Sequence, residues 1–465
     1  MSTSHESAHQ DGARRVVVVG GGLAAITAAI ALRETGAAVT LVEARPRLGG
    51  ATSSFSRDGL AIDNGQHVYL ACCTAYRGLL DRLGVAASAP LQDRFDVTVL
   101  SPGKNARMRR TSLPGPLQLG QAMATYGHLS VAERLQAARA TLAMRFLKLG
   151  DPALDDQRLG DWLASHGQSE HARRALWDLF TVSTMNIAGD DASLALATKV
   201  VQTALLGRRD AADIGMAAIP LGELHGTASA RLLGRLGADV RLATSVVAVT
   251  PAASGLTVTM ASGADRAQTQ LPADGVVMAL PPAAAARLLP AEAGPRPWAE
   301  LGTSPIVNVH VIYDRKVTDL SFAAAVDSPV QWVFDKTAAA GVPAGQYLAV
   351  SLSAADSYID VPAAQLREQF LPALAEIFPA TRQAGITDFF VTRERHATFR
   401  QEPGSGRLRP PAATQLPGLV LAGAWTGTGW PDTMEGAVRS GLSAAQELRN
   451  GLAWPAVPGR VALDA

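Results

Sequence analysis

The stretch from residue 15 to residue 50 constrains the fold of this chain more than any other. Four consecutive valines at 16–19 form the β-branched apolar run that is typical of a parallel strand buried on both faces, and a glycine cluster ends the run. The pattern after the cluster predicts a helix over 23–34, which Gly36 ends, and a second strand over 38–42. These residues therefore predict a βαβ unit.

The glycine cluster suits the binding of a dinucleotide. Gly20 makes the tight turn after the strand, and Gly22 lets the backbone approach a pyrophosphate. Leu23 and Ala24 open the helix, whose N-terminal N–H groups and partial positive charge favour an anion. Glu43 follows the second strand, about 20 residues further on, where its carboxylate is placed to accept from a ribose hydroxyl. A glycine-rich turn alone can be purely structural, but the strand, the helix and the placed acid together favour a nucleotide site.

Paired glycines after the second strand distinguish between two dinucleotides. Gly49 and Gly50 suit a second close approach of backbone to a long ligand running across the domain, which favours FAD over NAD. Ala25 stands where the third glycine of a G-x-G-x-x-G motif would be, and dinucleotide folds tolerate its methyl group. FAD is therefore the predicted cofactor, and no metal is predicted.

Composition narrows the class of protein further. The 465 residues correspond to about three domains, although interleaved folds of this size often form two. A net charge of +1 argues against a nucleic-acid partner. The two cysteines, Cys72 and Cys73, are adjacent and indicate neither a zinc site nor a disulfide framework, which fits a cytoplasmic protein. Residues 1–14 are predicted to be a disordered tail, and no apolar run in the sequence is long enough to span a bilayer.

The C-terminal part of the chain predicts three successive elements. They are a strand at 419–422, a loop of small residues that begins at Gly423 and contains Trp430, and a helix at 432–450. Asp432 as N-cap and Glu435 three residues later match a capping box, which would be a structural role for both acids.

The start of this helix also suits a flavin. The N–H groups of Thr433, Met434 and Glu435, directed at the pyrimidine edge of the ring, would stabilise negative charge on the reduced cofactor. Earlier in the chain, strands predicted at 239–242 and 246–250 indicate a return to the nucleotide domain. Backbone groups near Val247 would then meet the adenine.

A basic stretch lies between residues 104 and 150, where Glu133 is the only acid. Its cations are interleaved with apolar residues and are Lys104, Arg107, Arg109, Arg110, Arg134, Arg139, Arg145 and Lys148. A basic amphipathic helix of this kind lies on anionic bilayer surfaces, and the alternative is a substrate-domain helix with a solvated cationic face. Both interpretations stay open, and the first predicts peripheral contact with the inner face of a membrane.

The remaining patterns predict a second domain that contains a sheet. Its helices are predicted over 156–165, 170–181, 192–206 and 363–378, and its strands over 95–100, 306–313, 330–334, 347–352 and 386–392. A helix predicted over 222–237 belongs to the nucleotide domain. The predicted fold is α/β, with a discontinuous FAD-binding domain (15–90, 222–285 and 410–465) interleaved with a mixed α+β substrate domain (91–221 and 286–409).

A loop presents one histidine as a candidate for chemistry. Turns predicted at 56–59 and 63–65 place Gln66 and His67 near whatever lies over the first strand. A lone loop histidine is more often an ordinary hydrogen-bonded residue than a catalytic one.

Several motifs resemble the FAD-dependent amine oxidase and carotenoid desaturase superfamily. The broad match lies in VGGGLA at 19–24, EAR at 43–45 and LGG at 48–50. Within the superfamily the chain is similar to the hydroxysqualene dehydroxylases, and that narrower match lies in DNGQH at 63–67, ERHATF at 394–399 and TGWPDTMEGAVRSG at 428–441. The resemblance extends from Arg15 over the rest of the chain. It implies a Rossmann-type, GR2-like FAD-binding domain interleaved with the substrate domain.

The resemblance also implies residue roles. It places His67 beside the substrate face, so His67 and Asp432 are the predicted catalytic residues. Motif and resemblance together predict that the cofactor contacts Gly20, Gly22, Leu23, Ala24, Glu43, Ala44, Arg45, Gly49, Gly50, Val247, Gly423, Trp430, Thr433, Met434, Glu435 and Ala437.

The reaction that the resemblance implies is reductive removal of the allylic hydroxyl of hydroxysqualene, a lipophilic polyprenyl substrate, to give squalene for hopanoid synthesis. Loss of hydroxide at neutral pH requires an acid, and His67, Asp432, Glu435 or a bound water stay open as that acid. Aliphatic residues of 115–150 and 192–220 are expected to line an apolar channel. A carotenoid-type desaturase or isomerase, an amine oxidase and a non-catalytic FAD-binding lipid carrier stay open as alternatives. The electron donor is not predicted.

Overall fold

The structure, a computed structural model, describes residues 13–113 and 118–454. The tail predicted over 1–14 lies outside that range apart from its last two residues. Within it, nineteen strands form, numbered in chain order. They are β1 (Arg15–Val19), β2 (Ala38–Val42), β3 (Ser54–Arg57), β4 (Leu60–Asp63), β5 (Val68–Leu70), β6 (Asp96–Ser101), β7 (Lys104–Arg109), β8 (Ile214–Met216), β9 (Asp239–Arg241), β10 (Thr244–Pro251), β11 (Leu256–Ser262), β12 (Ala267–Ala273), β13 (Gly275–Met278), β14 (Thr303–Tyr313), β15 (Phe322–Ala325), β16 (Trp332–Asp335), β17 (Gln346–Leu352), β18 (Ile386–Phe399) and β19 (Leu419–Leu421).

The same residues form fifteen α-helices. They are α1 (Leu23–Glu34), α2 (Thr74–Leu83), α3 (Gly120–Thr125), α4 (Val131–Met144), α5 (Pro152–Asp155), α6 (Leu159–Ser165), α7 (Glu170–Ala172), α8 (Asp178–Met185), α9 (Leu194–Val200), α10 (Ala228–Arg235), α11 (Pro282–Leu288), α12 (Thr337–Ala340), α13 (Ala363–Ile377), α14 (Ser405–Leu408) and α15 (Met434–Gly451). The described residues also form three π-helical segments. Arg173–Trp177 lies between α7 and α8, Val201–Leu205 follows α9, and Gly222–Thr227 precedes α10. None of the helices in the described part of the chain is long and apolar enough to cross a membrane.

Five parallel strands form the sheet that begins with the first βαβ unit, in the order β19–β13–β1–β2–β9. The predicted bounds of α1 and β2 are confirmed, and β1 begins one residue earlier than the valine run. Val16 and Val18 pack in the cluster that contains α1, whereas Val17 and Val19 pack in a cluster on the other face. Burial on both faces explains why four valines occur in a row.

A seven-stranded sheet forms the second large layer, in the order β18–β14–β17–β16–β15–β6–β7. Its strand pairs are antiparallel except that β15 runs parallel to β6. The smaller sheets are β10–β11–β12, β3–β4 and β5–β8. The parallel sheet contains strands from four separate parts of the chain, 15–42, 239–241, 275–278 and 419–421. The exact boundaries of the two domains stay predictions.

Several sequence-based expectations require correction. The predicted helix at 156–165 begins only at Leu159, after the short α5. The basic stretch isn't one helix, because its first part pairs with β6 as β7, and α4 covers only Val131–Met144. β12 and β15 were not predicted: the first is polar and contains a proline, and the second consists mainly of alanine. In both, pairing with a neighbouring strand outweighs intrinsic preference.

Candidate active site

The first glycine turn is required by the backbone around it. Gly20 has φ +115° and donates its N–H to the carbonyl of Val42 (2.8 Å), and a Cβ there would lie 2.3 Å from the carbonyl oxygen of Ala279. Gly22 is the N-cap of α1, and no side chain caps that end of the helix. The first N–H groups of α1 are therefore available to an anion.

The second glycine pair lies against the first. Gly49 donates its N–H to the carbonyl of Gly21 (2.8 Å), and Gly49 and Gly50 have φ of +112° and +56°. A Cβ on Gly50 would lie 2.7 Å from the Cα of Gly22. Two glycine loops thus meet backbone to backbone at the start of α1. We call this surface, formed by residues 20–22 and 49–50, the cofactor cradle.

Glu43 borders the cradle at the end of β2. Its Oε1 accepts from the N–H of Arg45 (2.7 Å), and a Cβ on Gly21 would lie 2.7 Å from its Oε2. Gly21 is therefore a site residue that the sequence analysis missed, although it stands between the two glycines that were chosen. Nη1 of Arg45 donates to the carbonyl of Gly50 (3.5 Å). Ala44, which lies between Glu43 and Arg45 in the sequence, is exposed.

Val247 lies at an irregularity in β10. The pairing with β11 shifts register between Val246 and Ala248, so Val247 faces no partner in the ladder. Strand β10 starts beside the cradle, because Thr244 donates its N–H to the carbonyl of Glu43 (3.0 Å). Bulges of this kind redirect backbone groups out of a sheet, which is compatible with the predicted adenine contact.

The C-terminal helix packs directly on the helix that follows the cradle. A Cβ on Gly441 of α15 would lie 2.4 Å from the carbonyl oxygen of Ala24, so the two helices touch through backbone. Gly423, with φ +144°, donates its N–H to Oγ of Ser440 (2.9 Å) and ties the loop after β19 to α15. Residues from opposite ends of the chain are brought together in this way.

The capping box predicted for α15 is wrong. The N-cap is Thr433, whose hydroxyl accepts from the N–H of Gly436 (3.2 Å). The carboxylate of Asp432 instead accepts from the N–H of Phe399 (2.9 Å) at the end of β18. Burial raises the pKa of Asp432 to about 6. A long-range partner takes this carboxylate away from the helix end that follows it.

Glu435 caps a different helix from the one that carries it. Its carboxylate accepts from the N–H groups of Ala75 (3.2 Å) and Tyr76 (2.7 Å) in the first turn of α2, and from Nε of Arg439 (2.8 Å). The side chain is fully buried. The half-buried Ala437 lies in the same first turn of α15. Glu435 therefore joins α15 to α2.

A cavity opens beside the start of α15. Its empty space, including the mouth that opens to solvent, is about 1500 Å³. Gln66, Trp430, Thr433, Met434 and Glu435 line it. The rest of the walls are mainly apolar and include Val97, Met108, Phe180, Ile214, Phe322 and Phe334. Residues of 192–220 line it as expected, whereas none of the described residues of 115–150 does.

Two cations lie against Trp430, which lines the cavity. Trp430 has Nζ of Lys199 at 4.9 Å and Cζ of Arg439 at 4.9 Å from its ring centroid. Lys199 and Cys72 both line the cavity. Burial and the nearby Arg439 lower the pKa of Lys199. The sequence analysis missed Lys199, because nothing in the local sequence distinguishes a lysine in a predicted helix from a solvated one.

The predicted catalytic histidine is not among the residues that line the cavity. Gln66 and Val68 line the cavity, but His67 does not, and a Cβ on Gly65 would lie 3.4 Å from Nε2 of His67. Burial lowers the pKa of His67, and Asp63 opposes that change. Asp63 itself pairs with Lys336 (2.9 Å) in the interior. The catalytic roles of His67 and Asp432 stay predictions.

The residues present fit FAD. Gly20, Gly49 and Gly50 occupy positions where added Cβ atoms would overlap backbone, so the cradle presents backbone alone, as a pyrophosphate requires. An uncapped helix end supplies N–H donors, and Glu43 supplies an acceptor beside them. Helix α15 contacts α1 through Gly441 and lines the cavity through Met434 and Glu435.

Comparison with known proteins agrees with this fit. Residues 23–449 match the family model described as flavin containing amine oxidoreductase. A hydroxysqualene dehydroxylase of Rhodopseudomonas palustris is 30% identical over 93% of this chain and 97% of its own length. A zeta-carotene desaturase of Zea mays is 25% identical over 92% of this chain and 82% of its own.

A solved structure shows the same fold. The crystal structure of an oxidoreductase from Methanosarcina mazei superposes with a TM-score of 0.72 at 17% identity, covering 93% of this chain and all of the other. The predicted α/β fold, the predicted FAD and the resemblance to hydroxysqualene dehydroxylases are confirmed. The chain belongs to the flavin containing amine oxidoreductase family and is an FAD-dependent oxidoreductase.

Proposed function

We propose that this chain reductively removes the allylic hydroxyl of hydroxysqualene to form squalene, as a step of hopanoid biosynthesis. The observation that carries the proposal is the cavity, whose walls are mainly apolar and include a few polar side chains such as Lys199 and Thr433. A long hydrocarbon with a single hydroxyl matches that lining, because the apolar walls bind the chain and the polar side chains receive the oxygen. The relatives named hydroxysqualene dehydroxylase and zeta-carotene desaturase support a polyprenyl lipid as the substrate class.

The residues of the chain have separate tasks in this proposal. The N–H groups at the start of α1 would hold the pyrophosphate, and Glu43 would accept from the ribose. The first turn of α15 lines the cavity through Thr433, Met434 and Glu435, and its N–H groups would stabilise negative charge on the reduced ring. When bound and reduced, FAD supplies a hydride to the carbon that loses the hydroxyl. The apolar walls exclude water from that carbon.

A carotenoid-type desaturase or isomerase is the second candidate. The similarity to the zeta-carotene desaturase of Zea mays supports this candidate, and the apolar cavity suits a carotenoid precursor as well as it suits hydroxysqualene. The two functions differ in redox direction, because a desaturase starts from oxidised flavin and a dehydroxylase from reduced flavin. Product analysis therefore separates them.

The test begins with protein whose flavin has been reduced without oxygen. Hydroxysqualene in detergent is added, flavin absorbance is followed, and lipids are extracted. We expect reoxidation together with squalene in a 1:1 ratio. Reduced flavin that persists, combined with desaturation of carotenoid precursors by the oxidised protein, would favour the second candidate. Neither reaction would be expected of a lipid carrier.

We further propose that α4 and the residues after it contact an anionic membrane surface. Five large apolar side chains are exposed there, namely Val131 (66%), Leu135 (59%), Leu142 (53%), Phe146 (79%) and Leu149 (41%). The exposed Arg139, Arg145 and Lys148 lie among them. We call this set the α4 surface. Apolar side chains interleaved with cations match the interface of a bilayer that contains anionic lipids.

The α4 surface is joined to the cavity. Nε2 of Gln202 donates to the carbonyls of Met144 and Leu147 (both 2.8 Å), and Gln202 lies in the π-helical segment that also lines the cavity. The other cations of the basic stretch contact protein instead: Arg107 and Arg109 bond Asp96, and Arg110 bonds Asp213. Membrane contact is thus assigned to α4 rather than to the whole basic stretch.

Sedimentation with vesicles of phosphatidylglycerol and phosphatidylcholine tests this surface. We expect the wild type to bind at low salt, and the triple variant Leu135→Gln/Leu142→Gln/Phe146→Gln to lose at least tenfold in partitioning. The matched control, Arg231→Gln/Arg235→Gln, removes two cations from the surface of α10 and should bind as the wild type does. Equal binding of the triple variant would overturn the assignment.

A further inference from the structure

Lys199 is a cation for which the described residues show no ion pair. Its half-buried side chain lines the cavity, and its Nζ lies 4.9 Å from the ring centroid of Trp430. No hydrogen bond or ion pair joins it to any residue in 13–113 or 118–454. An ammonium group in such a place is costly to leave unpaired, so a ligand atom that accepts hydrogen bonds is expected beside it.

Three other charged groups already have hydrogen-bond partners within the protein. Glu435 accepts three hydrogen bonds, one of them from Arg439, whose Nη2 also bonds Oγ1 of Thr74 (3.3 Å). Asp432 accepts from the backbone of β18, and neither Asp432 nor His67 lines the cavity. Among the described residues that line the cavity, Lys199 is therefore the one cationic side chain.

The local helix geometry supports a functional position. Lys199 is the next-to-last residue of α9, and the π-helical segment Val201–Leu205 follows at once. Thr203 and Leu205 of that segment line the cavity along with Lys199. A π-helical turn is less stable than a regular α-turn, and such turns occur frequently at functional sites.

We infer that Lys199 donates the proton to the departing hydroxyl of the lipid substrate and is therefore a catalytic residue. The inference rests on the proposed function. In the step, the ammonium N–H bond breaks and an O–H bond forms, the C–O bond breaks with its electron pair on oxygen, and water leaves. The carbon accepts a hydride from reduced FAD, so the lipid is reduced by two electrons and the flavin is oxidised. The neutral amine regains a proton from solvent.

The surroundings of Lys199 suit this task. Burial and the positive charge of Arg439 lower its pKa, while Cys72 and Glu435 oppose that change. A lysine with a lowered pKa is a stronger acid near neutral pH than an exposed one. The fixed positive charges also favour a leaving group that carries an electron pair.

Single-turnover reoxidation of the reduced holoenzyme by hydroxysqualene tests the step. Lys199→Met removes the proton, and Lys199→Arg keeps the charge but holds its proton too tightly to release it. We expect both to reoxidise at least 100-fold more slowly than the wild type, with unchanged flavin content and unfolding temperature. Lys316→Met, at an exposed lysine, is the matched control and should react as the wild type does. A rate within tenfold of the wild type for either variant of Lys199 would overturn proton donation.

A second readout does not depend on turnover. The chain has five lysines, Lys104, Lys148, Lys199, Lys316 and Lys336. Reductive ¹³C-methylation makes each visible by NMR, and the resonance missing from Lys199→Met identifies Lys199. We expect it to titrate at lower pH than that of the exposed Lys316. In the oxidised holoenzyme, which cannot reduce the lipid, hydroxysqualene should shift this resonance and squalene should not.

The two readouts separate failure of the inference from failure of the proposed function. In one outcome the wild type is not reoxidised, but the Lys199 resonance shifts with hydroxysqualene and not with squalene. That outcome would overturn the proposed reaction and would still support a contact between Lys199 and the hydroxyl of the lipid. Normal reoxidation with a Lys199 resonance that hydroxysqualene does not move would overturn the role of Lys199.

Discussion

Helix α15 packs on the helix that follows the cofactor cradle and also lines the apolar cavity, yet the cradle and the cavity are built differently. The cradle is backbone: Gly20, Gly49 and Gly50 adopt positive φ, and added Cβ atoms would overlap backbone. The cavity is side chain, with walls from two sheets and from helices that are far apart in sequence. A backbone site is specified by a few glycines at fixed spacing, whereas a side-chain site depends on every element that surrounds it. A single substitution in the cradle should therefore cause a large loss of stability or of FAD binding. A single substitution in the cavity should cause only a small loss of activity.

The largest effect is expected in the cradle. Gly20→Ala places a methyl group 2.3 Å from the carbonyl oxygen of Ala279 at a φ of +115°, so we expect a loss of more than about 4 kcal/mol in the free energy of unfolding and no bound flavin. Gly22→Ala is the matched variant, because the nearest atom to its added Cβ is 3.9 Å away. We expect it to unfold near the wild-type temperature but to lose FAD affinity. Equal stability of both variants would show that the close backbone contact at Gly20 does not matter for folding. The contrast between a backbone-built cradle and a side-chain-built cavity would then be lost.

The next effect concerns the residue that joins the two regions. Glu435→Ala leaves two N–H groups of α2 and the guanidinium of Arg439 without their acceptor, and we expect a loss of about 3 kcal/mol in the free energy of unfolding. Urea denaturation of the FAD-loaded protein measures it. Glu447→Ala, an acid further along the same helix, should change stability by less than about 0.5 kcal/mol. A similar loss in both would show that the hydrogen bonds of Glu435 to α2 add no specific stability.

Two histidines, neither of which lines the cavity, have a pKa that burial lowers. Burial lowers the pKa of His225 near the cradle and of His310 in the seven-stranded sheet, each to about 3. A folded pKa below the unfolded value of about 6.5 means that the unfolded chain binds more protons below pH 6.5, so stability falls as pH decreases through that point. We expect about 2 kcal/mol less stability at pH 5 than at pH 7.5 from His310 alone.

His310→Gln tests this dependence. Glutamine retains hydrogen-bonding capacity toward Tyr347 and Thr392 without a titrating ring. The difference in the free energy of unfolding between pH 7.5 and pH 5 should shrink by about 2 kcal/mol relative to the wild type. An unchanged difference would show that His310 gains no proton on unfolding in this range.

The smallest effect is expected in the cavity wall. Thr203→Phe fills part of the space beside Lys199, and we expect kcat/KM for the lipid to fall about tenfold with flavin content unchanged. Thr203→Val, of nearly the same volume, is the matched control and should stay within about threefold of the wild type. Loss of flavin in Thr203→Phe would show that the cavity wall and the cradle are not separable.

The sequence by itself determined the elements whose requirements are local. The valine run, the glycine turn and α1 follow from sterics and periodicity within about 30 residues, so α1 and β2 were predicted at their observed bounds. The paired glycines and the resemblance together predicted FAD. These features need no knowledge of distant residues, because positive φ and strand burial are properties of a short stretch of chain.

Only the tertiary structure decided what the side chains touch. The acids at the start of α15 matched a capping box, but Asp432 meets Phe399 and Glu435 meets α2, about 360 residues away in sequence. His67 was chosen and lies off the cavity, whereas Lys199 was passed over and lines it. Competition among hydrogen-bond partners that are distant in sequence settles such cases, and its outcome depends on which donors the fold brings near each carboxylate. The cavity is a property of packing between sheets and helices, so no local pattern could have predicted its walls.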